Sequence, residues 1–204
     1  MMGLPFWEMP DHLTIDGVPY PIRTDFRIGI RIRQMLWEPY YQAHPDDFLD
    51  VVCRLLFCDM PDADCDGTAL LYAVVWYLLD GRVSPERITK RMTGDAPHPT
   101  VDPDGGEPVF SYLWDTPALY AAFLSVYRID LLQCEMHLWQ FDALFASLPA
   151  DCPLSRTMAL RAASLASAED GDARAALAAQ KLVHRIPDTD TLHRLQDCSI
   201  HPRG

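Results

Sequence analysis

Lysine is almost missing from this 204-residue chain: Lys90 and Lys181 stand against fifteen arginines. With the many alanines, that bias reads as genome composition rather than function. Long apolar runs are missing too. The longest, Ala69–Leu79, has eleven residues, whereas a membrane span needs about twenty, so no membrane partner is expected. The opening MMGLPFWEMPDH lacks the positive region and apolar stretch of a secretory signal. None of the six cysteines (Cys53, Cys58, Cys65, Cys134, Cys152, Cys198) forms a C-x-x-C pair, so reduced thiols in a cytoplasmic protein are expected. No G-x-x-x-x-G-K-[ST], G-x-G-x-x-G or G-x-S-x-G motif occurs, and no two histidines have H-x-x-x-H or H-E-x-x-H spacing. A non-enzymatic protein without cofactor or metal is therefore expected. The formal net charge of −12, from 29 acidic and 17 basic side chains, argues against nucleic acid as a partner.

What is present predicts a mainly α fold with a small N-terminal β-hairpin. LTIDGVPYPI alternates side-chain types around Asp16-Gly17, a favoured two-residue hairpin turn. The next stretch is ambiguous. Ile28, Ile30 and Ile32 alternate with polar residues at strand period, while Thr24-Asp25 is a helix N-cap signal. A helix over about 25–37 is the reading adopted. PDDFLDVVCRLLF predicts a helix with a stripe of Phe48, Val51, Val52, Leu55 and Leu56. TALLYAVVWYLLDG predicts a central helix, apolar almost all round, from Thr68 to a Gly81 cap. SPERITKRM predicts a further helix with Ser84 as N-cap. Thr93–Pro108 then packs four prolines, three glycines and four acids into sixteen residues, the composition of a flexible linker. Beyond it, helices are predicted over DTPALYAAFLSVY (capped by Asp115), LLQCEMHLWQFDALFASL, PLSRTMALRAASLA and DARAALAAQKLVHRI. The chain divides on this reading into residues 1–93, a linker at 94–109, a helical half at 110–186 and a polar tail at 187–204.

Three groups of residues invite chemistry. Asp62, Asp64, Asp66 and Gly67 match the first half of a calcium loop, but its twelfth position is Ala73 rather than a bidentate carboxylate. An acidic loop that caps the next helix is preferred. His137 lies beside Glu135 and near Asp142. A proton-transfer role would need a cleft, and a hydrogen-bonded, partly buried histidine is preferred. On a helix, Arg23, Arg27 and Arg31 would line one face. They would be solvated, or paired with Asp46, Asp47 and Asp50; a docking stripe for an acidic surface is the sharper reading.

Four blocks together carry a resemblance: IDGVPYPIRTDFR, FSYLWDTPALYAAFLSVYRIDL, MHLWQFDALFASL and MALR. They resemble the phage family named after the fifteenth gene product of a temperate phage of Gram-positive bacteria, over roughly residues 12–165. Arg128 stands where the family has a glycine, which argues against a left-handed backbone turn there. MHLWQF stands where two adjacent aromatics are common. The family occurs in the tail-gene clusters of long-tailed phages, beside the tape-measure gene. The resemblance thus implies a tail-assembly chaperone that coats the tape-measure protein, self-associates as a homo-oligomer and works in the cytoplasm of the bacterial host. The alternative is a structural tail or connector subunit kept in the mature particle. The candidate protein-binding residues are Arg23, Arg27 and Arg31 on the basic stripe, with Trp139 and Phe141 in the aromatic block.

Overall fold

The computed structural model describes residues 9–36, 38–62, 64–81 and 108–187. The predicted helix at Ser84–Met92, nearly all of the 94–109 linker and residues 188–204 lie outside them. Among the described residues, one antiparallel hairpin precedes eight α-helices, which is the mainly α class expected. They form two compact units. The first takes residues up to 81 together with Glu135–Ala146; the second takes 108–134 and 147–187. The units are therefore not the two consecutive halves drawn from the linker composition, because one helix from beyond the linker packs with the first.

In the first unit, β1 (His12–Ile15) pairs with β2 (Val18–Pro21) in the register Leu13↔Tyr20 and Ile15↔Val18. Asp16 (φ 51°) and Gly17 (φ 82°) both take positive φ, the type I′ turn that suits strand twist. Leu13 and Ile15 are buried and Thr14 is exposed, as period two requires. Two prolines in a four-residue strand need a reason. Ile22 N donates inward to Asp11 O at 2.9 Å, so by alternation the nitrogens of Pro19 and Pro21 face outward, where a missing N–H breaks no ladder bond. Cys58 N donates to Pro21 O at 2.9 Å and Arg23 N to Leu56 O at 2.7 Å, which closes that edge.

Helix α1 (Phe26–Met35) resolves the ambiguous stretch. Its buried residues are Phe26, Gly29, Ile32 and Met35, a stripe at helical spacing that includes a glycine no hydropathy pattern marks. Asp25 is the N-cap, its Oδ1 accepting Arg27 N at 2.8 Å. After the short α2 (Pro39–Ala43) come α3 (Pro45–Leu56) and α4 (Gly67–Leu78). α3 buries Phe48, Val52, Cys53 and Leu56, and α4 lies against β1. Asp66 caps α4 through Thr68 N at 2.9 Å. Left-handed Asp80 (φ 55°) and Gly81 (φ 67°) end it, with Gly81 N bonded to Trp76 O at 2.9 Å.

The second unit holds α5 (Thr116–Tyr127), and α6 (Leu138–Ala146) completes the first. The single long helix expected over Leu131–Leu148 does not form; only its second half is helical. Asp130 bends the chain before it, its Oδ1 taking Leu132 N at 2.9 Å and its carbonyl taking Cys134 N at 2.9 Å. The second unit then continues with α7 (Pro153–Ala162), a 3-10 turn at Leu165–Ser167, and α8 (Gly171–Val183).

Arg128 corrects another expectation. It ends α5 at φ 60°, ψ 27°, so the left-handed turn exists without the glycine. A side chain there costs roughly 1–2 kcal/mol against a right-handed conformation. Arg128→Gly is expected to raise stability by up to about 1 kcal/mol, since glycine's unfolded-state entropy offsets part of that strain. Chemical denaturation of both forms measures it. The opposite sign is expected at Gly29. A Cβ there would lie 2.5 Å from Cδ2 of Leu138, and Leu138 is fully buried. Overpacking of about 1–3 kcal/mol outweighs the roughly 1 kcal/mol that alanine gains in a helix. Gly29→Ala should therefore lower the denaturation midpoint.

Candidate functional site

The five candidate binding residues are mostly occupied in holding the fold together. Arg23 precedes α1 instead of lying on it. Its Nη1 donates to Arg54 O (3.0 Å), Leu55 O (3.2 Å) and Phe57 O, the carbonyls at the end of α3. Arg27 pairs with Asp25 at 2.7 Å and Arg31 with Glu38 at 2.9 Å, both at the surface. Asp50 bonds Arg54, and Asp47 accepts Tyr40 OH. Phe141 is fully buried, stacked on Phe26 with centroids 4.6 Å apart, so its ring belongs to the core and offers no surface. Trp139 is half-buried. Its Nε1 donates to Tyr77 O at 2.8 Å and its ring meets Trp76 at 5.4 Å.

The other sequence candidates are also engaged locally. Asp62 accepts Tyr20 OH at 3.1 Å and Asp66 caps α4. Both ring nitrogens of His137 are bonded: Nδ1 accepts Trp139 N at 3.0 Å, and Nε2 lies 3.1 Å from Pro10 O. A carbonyl only accepts, so Nε2 carries the proton and the neutral tautomer is set by its partners. Burial lowers the His137 pKa from its ordinary 6.5. Asp142, its suggested partner, is clamped by Arg33 through two bonds, at 2.7 and 2.6 Å. Cys53 is buried and its thiol is pushed up to about 11 by that burial, which makes it an inert core residue.

Local spacing gave no sign of two further arginines. Arg33 joins Asp142 of α6 to the end of α4, with Nε donating to Leu78 O at 3.0 Å. In the second unit Arg161 is buried with Asp115, in bonds of 2.7 and 3.0 Å, and also donates to Val109 O (3.1 Å) and His184 O (2.6 Å). Asp115 thus does not cap α5 with its side chain as expected; its carboxylate serves Arg161 and Ser111 N instead. The blocks of the resemblance are joined in pairs. T-D-F-R meets M-H-L-W through Phe26 N→Met136 O (3.0 Å) and Leu138 N→Thr24 O (2.9 Å). D-T-P meets M-A-L-R through Asp115 and Arg161.

Two surface properties remain. Among the described residues the first unit carries fourteen acidic and five basic side chains, the second six of each. Exposed apolar side chains favour the second unit: Trp114, Leu124, Leu132, Leu165, Leu182 and Val183, against Val18, Tyr40 and Met60 in the first. Helix α8 has no buried residue, and it ends on Leu182 and Val183, 69% and 79% exposed. No described helix is long and apolar enough to cross a membrane.

Two substitutions test the buried polar groups. Arg161→Met leaves Asp115 charged and buried, and is expected to cost about 3–5 kcal/mol; the double change Arg161→Met with Asp115→Leu should recover most of it. Tyr77 is fully buried, its phenol pushed well up by burial, and its hydroxyl has no hydrogen-bond partner among the described residues. Tyr77→Phe is therefore expected to stabilise by about 1 kcal/mol. Urea unfolding reads both.

The family model described as bacteriophage Gp15 protein matches residues 8–184. No curated protein and no solved structure matches the chain. The matched span contains both hydrogen-bonded pairs of blocks, and on its extent the chain belongs to the bacteriophage Gp15 protein family.

Proposed function

We propose that this phage protein is a non-enzymatic tail-morphogenesis factor: a chaperone that binds the tape-measure protein in the host cytoplasm before the tail tube assembles. The observation that carries this reading is helix α8. It buries none of its own residues and leaves Leu182 and Val183 largely in water, although a helix gains its stability in proteins mainly from packing an apolar face. Such a helix, with an uncovered apolar end, suits contact with an apolar helical partner. The engagement of His137 and Asp142 by structural partners supports a binding role over a catalytic one. Self-association belongs to the same proposal.

The test is co-expression with tape-measure segments, with soluble complex measured by size-exclusion chromatography and affinity by titration. Leu182→Asp with Val183→Asp should weaken binding by at least about tenfold while moving stability by less than about 0.5 kcal/mol, since both side chains are exposed. Equal binding by the variant removes α8 from the interface. Mass spectrometry of purified particles separates the chaperone from a structural tail or connector subunit. A chaperone is absent from finished tails, and a stoichiometric band there would establish the other role.

A further inference from the structure

We propose that His137 is an acid-sensitive latch that holds the start of α6, the start of α1 and the segment entering β1 in one arrangement. Helices α1 and α6 begin side by side, tied by Phe26 N→Met136 O and Leu138 N→Thr24 O. Each is capped by the side chain that precedes it. Asp25 accepts Arg27 N, and His137 Nδ1 accepts Trp139 N in the same way. Through its other nitrogen His137 also donates to Pro10 O, 127 positions away in sequence. The two caps differ in what a proton does to them. Nδ1 has one lone pair, and protonating it removes the acceptor and points an N–H at the Trp139 N–H.

The charge falls in a poor place as well. Two helix N-termini meet there, each the positive end of its dipole. Of the nearby carboxylates, Asp25 pairs with Arg27, Asp142 with Arg33, and Glu135 is exposed to water; Asp142 and the Pro10 carbonyl still favour the cation, but burial outweighs both. The ring of Tyr77 on α4 faces His137 with centroids 5.8 Å apart and brings no charge at neutral pH. Burial correspondingly lowers the pKa from 6.5 in the fold. A group whose folded value lies below its unfolded one draws more protons into the open form. The latch is therefore closed above the unfolded value, and it opens as pH falls through about 6.5 toward the lower folded value.

The experiment uses the full chain labelled with 5-fluorotryptophan and followed by fluorine NMR from about pH 7 to about pH 5, the range where histidine titrates. The Trp139 resonance is expected to shift or broaden in a step that precedes any change at Trp114 of the second unit. In His137→Asn, which keeps a cap acceptor that cannot titrate, that step should vanish. A Trp139 signal that follows Trp114, or a step of equal size in the variant, overturns the proposal. Should His137→Asn fail to fold, the imidazole titration of the wild-type chain decides. A midpoint below that of free histidine supports the latch, and one at or above it refutes it.

Discussion

A helix that ends inside a protein leaves its last carbonyls without donors, and in this chain basic side chains supply them. Arg23 closes α3, Arg33 closes α4, Lys181 reaches Ala163 O after α7, and Arg161 reaches His184 O after α8. Each cation also meets the negative end of a helix dipole, so the hydrogen bonds and the field act together. Guanidinium suits the task because its fork can hold a carbonyl and a carboxylate at once. Arg33 and Arg161 both do this, bridging a helix end to Asp142 and Asp115.

The family blocks lie at such junctions of distant elements. Motifs far apart in sequence form two junctions, one of helix starts and one of a buried ion pair. His137, the residue with the most chemical promise, has both nitrogens spent on backbone groups. Its position is nonetheless informative, because a titratable cap couples a helix start to proton concentration where an aspartate cap would hold down to acid pH.

The surface is divided in a way that composition alone hides. Among the described residues the acidic excess lies in the first unit, while the second carries equal numbers of acidic and basic side chains. Apolar exposure runs the other way. An acidic unit favours solubility, while an uncovered helix leaves apolar side chains open to contact.

Sequence alone determined the elements whose causes are local. The Asp16-Gly17 turn forms because two positive-φ positions need those residues, and the mainly α class follows from apolar periodicity and caps. The resemblance rested on block order and led to the right family. Tertiary structure decided what distant residues do. No local pattern marks Gly29 as a contact point, pairs Asp115 with Arg161, or moves Glu135–Ala146 into the first unit. Arg128 shows the limit most directly: a single side chain argued against a left-handed turn, yet the chain adopts one. Its strain of about 1–2 kcal/mol is small beside the burial of Leu119, Ala122 and Phe123 on the helix it ends. Local preference is worth a kilocalorie or so, and packing, which sequence spacing does not reveal, is worth several.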